Sequence, residues 1–180
     1  MPASSSDRVF FSSVFQALHG VVKRDDTALR DELRRLGVDL EHLQAAYPAA
    51  TWAAATELVA SRLFPELERP VAISRVGEQI VDAFGHTAIG GALVALLKVL
   101  GPGRVAGRVS RSFRSANNYA EDVVTQHGPR DYELWTNEVH VPFLHQGVIR
   151  RALELIGARN CTVEIVDRDA KGTTYRCRWD

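Results

Sequence analysis

The hydrophobic period changes once along this chain, near residue 118. Before that point apolar residues recur at the three-to-four spacing of helices; after it they alternate with polar ones, as in strands. A chain patterned this way is α+β. The expected architecture is several N-terminal helices packed on a C-terminal antiparallel sheet of about four strands, built as two hairpins joined by a helix. No Pro/Gly/Ser-rich linker marks the change of period. One domain is therefore expected over 9–180, helical over 9–116 and hairpin–helix–hairpin over 117–180, with residues 1–8 as a disordered tail. A length of 180 residues is enough to bury a core without disulfides or a structural metal.

Local signals place the elements. Phe11, Phe15 and Leu18 form a short amphipathic segment. Asp26 or Thr27 caps a helix carrying Leu29, Leu33 and Leu36, which Gly37 stops. Tyr47-Pro48 marks a turn or helix entry, and a helix follows over Ala49–Leu63. Pro65 and Pro70 bracket a connector to a helix expected to bury Val71, Val76, Ile80 and Phe84. The apolar run 87–100 contains Lys98 and is shorter than the roughly 20 residues of a membrane span, so it reads as a buried helix. Strands are expected over 119–126, 132–139, 161–166 and 173–179, with a helix over 143–156. The loop 169–172 suits a type I turn with Gly172 in the left-handed bulge position. That turn would pair Asp169 with Thr173, Ile165 with Cys177 and Val163 with Trp179. Cys161 and Cys177 are then too far apart to bridge and read as two buried thiols.

Charge is balanced overall, 22 basic against 22 acidic residues, but not locally. No acidic residue lies between Asp82 and Glu121, a window that holds Lys98, Arg104, Arg108, Arg111 and Arg114. Residues 1–82 carry 9 basic and 12 acidic side chains, and residues 121–180 carry 8 and 10. A +5 segment is thus offset by flanks of −3 and −2. On a helix Arg104, Arg108 and Arg111 form one stripe, with Arg114 about 60° further round. Such a stripe suits an anionic ligand group, with Asn117 and Asn118 as hydrogen-bonding neighbours. It equally suits a solvated face whose arginines pair with carboxylates elsewhere.

Other chemistry is thinly represented. There is no GxSxG elbow, no phosphate-binding loop and no dinucleotide fingerprint. His140 and His145 flank a Val-Pro-Phe-Leu run without a third ligand, so no metal site is expected. His86 sits among glycines, where it would project into a cavity or make a structural hydrogen bond. Nothing compels an enzyme. The polar start Met1-Pro-Ala-Ser-Ser-Ser carries no secretory pattern, which places the expectation in the cytoplasm.

Several motifs have a familiar combination: Gly101-Pro-Gly-Arg104, Arg111-Ser-Phe-Arg114, Asn117-Asn-Tyr119, Leu36-Gly-Val-Asp39, Ala46-Tyr-Pro48, Leu63-Phe-Pro65, Phe84-Gly-His-Thr87 with Gly90, Gly147 and the closing Arg178-Trp179. Over about residues 9–179 the chain resembles a myxobacterial family of unknown function, DUF2378. That family commonly has Arg where Gly103 stands and Gly-Tyr where Gly85-His86 stands. It looks like a divergent relative of the group of haem-nitric-oxide-binding domains, four-vinyl-reductase-type ligand domains and transport-particle tethering subunits. The resemblance implies helices on an antiparallel sheet. It also implies either an apolar small molecule held between the two layers or an assembly role. The haem branch carries a proximal histidine and a Tyr-x-Ser-x-Arg motif. Arg108-Val-Ser-Arg-Ser112 does not supply that motif, so haem is not expected and the cofactor is left unknown.

The leading expectation is a non-enzymatic ligand-binding or sensory domain. An apolar or amphiphilic molecule would lie between helices and sheet, its anionic end near Arg104, Arg108, Arg111 and Arg114. Tyr47, Phe84, His86 and Tyr119 are the candidate pocket residues. The alternative is a homodimeric interaction or scaffold subunit docking through 87–100 and 11–18. Nucleotide or nucleic-acid binding through the arginines ranks third, because zero net charge disfavours it.

Overall fold

The computed structural model describes residues 8–106 and 116–180. Its N-terminal part opens with a two-stranded sheet, in which β1 (Val9–Phe11) pairs antiparallel with β2 (Ala46–Pro48) and Phe10 faces Tyr47. A strand thus stands at Tyr47-Pro48, where a turn or helix entry is expected from the sequence. The tail expected over residues 1–8 lies outside the described residues except for Arg8, whose guanidinium lies 5.1 Å from the centre of the Tyr119 ring. Between the strands run α1 (Ser12–Leu18) and α2 (Thr27–Arg35). Asp26 caps α2 by accepting a 3.0 Å bond from the Leu29 amide, and Gly37 leaves it at φ 84°. The aromatic rings of Phe10, Phe15, Tyr47 and Trp52 meet at the centre of this part, with centroids 4.2 Å apart for Phe15–Tyr47 and 4.8 Å for Phe15–Trp52.

α3 (Ala49–Leu63) and α4 (Arg69–Gly85) pack together, and α4 also packs on α7 (Pro142–Leu155). A helix flanked on two sides buries a wide arc. Ala72, Ile73, Ser74, Val76 and Gly77 are buried, whereas Val71 and Phe84 are exposed, which corrects the expected stripe. The crossing with α7 is backbone to backbone. A Cβ built on Gly77 would stand 3.0 Å from the Val148 nitrogen, and one on Gly147 would stand 2.8 Å from the Ser74 carbonyl carbon. Those approaches are inside the ordinary contact distance of about 3.5–4.0 Å, so glycine is required on both helices.

α5 (Ala88–Leu100) begins at a cap in which Thr87 Oγ1 accepts from the Gly90 amide at 2.9 Å. It was expected to be buried and it is not. Gly90 is its one buried residue, and Ile89, Leu93, Leu96 and Val99 are exposed. The chain bends by 98° between α4 and α5. α5 therefore leaves the α4–α7 pair and packs on the end of α4 and on α6 (Pro102–Ala106). Among the described residues no single helix is long and apolar enough to cross a membrane.

The C-terminal part is the expected hairpin–helix–hairpin. β3 (Asp122–Gly128), β4 (Asp131–Thr136), β5 (Thr162–Arg168) and β6 (Thr173–Arg178) form an antiparallel sheet in the order β3-β4-β6-β5. Inward residues alternate as the period-2 pattern requires: Tyr132, Leu134 and Thr136 on β4, and Thr173, Tyr175 and Cys177 on β6. The register of the last hairpin differs from expectation by two residues. One residue is lost at the turn, where Arg168 rather than Asp169 faces Thr173, and one at a bulge between Ile165 and Asp167, so that Ile165 faces Tyr175 and Val163 faces Cys177. Gly172 is not left-handed. Its lack of a Cβ instead admits the indole of Trp135, whose Nε1 would stand 2.6 Å from one. Cys161 and Cys177 are buried free thiols.

Candidate functional site

Two apolar cavities flank α7, and Val148 and Ala152 of that helix line both. The first, about 270 Å³, lies between helices and sheet. Leu93 and Leu97 of α5, Val105 and Ala106 of α6, and Ile149, Leu153 and Ile156 form its helical walls, with Val124, Tyr132, Leu134 and Cys177 from the sheet. Burial raises the Cys177 thiol to about 12, so it stays protonated at neutral pH and behaves as an apolar wall. The second cavity, about 390 Å³, lies on the other side of α7. Phe10, Val14, Trp52, Ile80, Phe84 and Leu144 line it together with His145.

His145 is buried and its pKa is lowered, first by burial and against the opposing charges of Glu138 and Asp122. Its imidazole is therefore neutral near pH 7. Below it lies a polar network that sequence reading did not foresee. Glu138, fully buried just after β4, accepts hydrogen bonds from the Tyr119 hydroxyl, from the His140 amide at 2.5 Å and from the Val141 amide at 3.3 Å. The His140 Nδ1 stands 3.3 Å from the same carboxylate. Burial alone pushes the Glu138 carboxyl up, yet its pKa is lowered by bonds and charge from His140 with a contribution from His145. We attribute that lowering chiefly to the donors, because a neutral His145 brings little charge. A lone Glu following a strand carries no signal; only the neighbouring His140-Val-Pro142 break hinted that a helix start would converge here.

The sequence-derived site residues are scattered. Arg104 is exposed on α6, and Arg108, Arg111 and Arg114 lie outside the described residues. Asn117 is buried and its Oδ1 accepts from the Tyr119 and Ala120 amides, while the exposed Asn118 accepts from the Val9 amide at 3.0 Å. Both asparagines thus fold the chain entering β3 against β1. Tyr47 packs in the aromatic core, its hydroxyl accepting from the Gln44 amide. His86 is exposed at the end of α4, Phe84 borders the second cavity, and Tyr119 holds Glu138. A charged groove between α4 and α7 is neutralised internally, with Arg150 paired to Glu78 and Arg151 to Asp82 and Glu154.

The model of the family described as "Protein of unknown function (DUF2378)" matches residues 3–180. The chain belongs to that family. No curated protein matches it in sequence. Among solved structures its fold is similar to an H-NOX protein from S. oneidensis in the Fe(II)NO ligation state (TM-score 0.67, 11% identity, 94% of this chain and 99% of that one). It is also similar to the Fe(II) unliganded H-NOX protein from K. algicida (0.64, 9%, 93% and 94%). A third is an oxygen-binding H-NOX domain related to soluble guanylate cyclases, in its oxygen complex (0.58, 13%, 94% and 94%). At identities this low the likeness establishes the fold alone.

These neighbours overturn the expectation against haem. That expectation rested on a missing Tyr-x-Ser-x-Arg motif, and the chain nonetheless shares the fold of domains crystallised with haem iron. The side chains present divide between the two cavities in their fit to an iron porphyrin. Among the described residues the cavity under the sheet offers only a protonated thiol and a phenol. The cavity against α1 and α4 offers His145, a neutral imidazole, which is the form that ligates iron.

Proposed function

We propose that this chain is a sensory ligand-binding domain that holds an apolar small molecule against α7, in one of the two cavities that flank that helix. The observation that carries the reading is the first cavity: helices from both halves and three strands converge on it, and among the described residues Tyr132 and Cys177 supply its only polar side-chain atoms. Binding sites for small molecules have this makeup, apolar walls with few polar groups. Its size, about 270 Å³, is just below the usual range of about 300–1,000 Å³, which suits a small ligand.

Haem is the first ligand to test, and the reading places it in the second cavity with His145 as the iron donor. When bound, it would supply an iron that takes a diatomic gas. The protein's part is to exclude water with Phe10, Trp52 and Leu144 and to keep the imidazole neutral by burial.

The test is titration of purified protein with hemin, read by absorbance, beside native mass spectrometry of protein as isolated. A sharp Soret band that is lost in His145→Ala assigns haem to His145. A non-haem mass adduct that disappears in Ala152→Phe, which fills the shared wall, assigns another apolar ligand. Absence of both, with no uptake of an apolar fluorophore, refutes the reading.

A further inference from the structure

α5 carries two apolar faces, and among the described residues only one of them is packed against the rest of the chain. Gly90 and Leu97 turn toward the body of the protein, and Leu93 stands at the edge between the two faces, lining the cavity under the sheet with Leu97 while staying half-exposed. Ile89, Ala92, Leu96 and Val99 turn away, and Ile89, Leu96 and Val99 are 79%, 61% and 82% exposed. Their spacing is three, four and three residues. This is the a/d repeat of helices that pack side by side in a shallow left-handed crossing. With the half-exposed Phe84 and Leu93 beside it, the stripe presents roughly 600 Å² of apolar surface. That is the upper end of what one patch on a monomer amounts to, and most of the roughly 800 Å² that each partner buries in a standard interface.

The order of residues in the stripe identifies the occupant. Read about position 94, the stripe is its own complement when reversed. In an antiparallel two-fold pair Ile89 meets Val99 of the second copy, and Ala92 meets Leu96. Each layer then joins branched to branched or small to large, and an isologous interface needs just such self-complementarity. The helix dipoles also oppose one another in this arrangement. Lys98, the one charge on α5, falls outside the stripe. A helix lying in a membrane surface typically carries several basic residues on its polar face; that face of α5 has Gly91, Val94 and Ala95 beside Lys98.

The geometry points to a homodimer formed by antiparallel packing of α5 on α5 through Ile89, Ala92, Leu96 and Val99. The proposal goes beyond the ligand-binding reading and does not depend on it, since Leu96 borders neither cavity.

Sedimentation equilibrium of the full chain at micromolar concentration is expected to give twice the monomer mass. Leu96→Glu, entering the interface twice, is expected to weaken association by about 100-fold or more with an unchanged circular dichroism spectrum. Mild oxidation is expected to cross-link Ala92→Cys/Leu96→Cys but not Leu96→Cys alone. A wild-type monomer, a dimer that survives Leu96→Glu, or efficient cross-linking of Leu96→Cys alone overturns the proposal. So does a monomer that co-floats with phosphatidylglycerol vesicles. Ligand capture by Leu96→Glu is measured separately, so that an empty cavity and a missing dimer are told apart.

Discussion

Gly147→Ala tests how the two halves of this fold are joined. In isolation the change favours a helix by about 1 kcal/mol. In this structure the added methyl carbon would lie 2.8 Å from the Ser74 carbonyl carbon and 3.0 Å from its Oγ, and nearer still to the carbonyl oxygen. That carbonyl belongs to the backbone of α4 and cannot swing aside as a side chain would. The helices must separate by most of an ångström, or α7 must rotate. Overpacking of this kind costs about 1–3 kcal/mol, and a backbone obstacle puts the cost at the top of that range. Subtracting the propensity gain leaves a net loss of about 2 kcal/mol, or roughly 4–8 °C in Tm for a chain this long. Gly85→Ala is the control, because its methyl would meet only Leu155 Cδ1 at 3.6 Å, an ordinary contact; it is expected to melt at or slightly above wild type. Thermal and urea unfolding followed by circular dichroism read both, the urea midpoint falling at constant slope. A Gly147→Ala protein as stable as wild type would refute the close crossing.

Further expectations follow from the buried network and the sheet. Tyr119→Phe removes a donor to a fully buried carboxylate and is expected to cost about 1–3 kcal/mol, read as a lowered urea midpoint. Stability is expected to fall as pH drops below about 6.5, because His145 has a lowered pKa when folded and so binds more protons unfolded. His145→Gln should flatten that part of the profile. A second loss is expected as pH falls below about 4.5, where Glu138, also lowered, takes its proton in the unfolded chain first. Gly172→Ala should destabilise by about 1–3 kcal/mol through collision with Trp135, and change the tryptophan fluorescence maximum; a silent variant would refute the close packing of Trp135 on Gly172.

What the sequence revealed, and what it hid, divides by the range of the forces involved. The cap at Asp26, the stop at Gly37 and the helix Ala49–Leu63 were legible because neighbouring residues determine them. The pairing of Val9–Phe11 with Ala46–Pro48 was not, since three-residue strands almost forty positions apart leave no period to detect. The last hairpin was placed but slipped by two, one residue at the turn, where Gly172 is not left-handed as expected, and one at a bulge between Ile165 and Asp167 that has no residue signature. The apolar composition of α5 foretold a helix yet misjudged its burial, as hydrophobicity reports what a segment avoids rather than what covers it. The candidate site was the least legible part. A cavity is a shortfall of atoms where elements from both halves meet, and Tyr47 and His86, chosen by residue type, lie in the aromatic core and in solvent.

α5 connects the two proposals through one physical constraint. Its inner leucines, Leu93 and Leu97, form part of the cavity wall, and its outer stripe is the proposed dimer seam. Among the described residues its main supports are α4 and α6, with Leu97 packed on the core under the sheet, and its outer face is exposed, so its local opening costs less than that of α4 or α7. A ligand that fills the cavity adds contacts to Leu93 and Leu97, and a second copy adds contacts to Leu96 and Val99. Each therefore reduces the ordering that the other must bring about. Linkage then requires the effect to be mutual: whatever factor the ligand adds to dimer affinity, the dimer adds to ligand affinity. A Leu97→Ala variant should weaken both together, whereas Leu96→Glu should abolish the dimer and lower ligand affinity by that same shared factor. Ligand affinity unchanged between dimeric wild type and monomeric Leu96→Glu would show that α5 is rigid on both faces and that the two properties are independent.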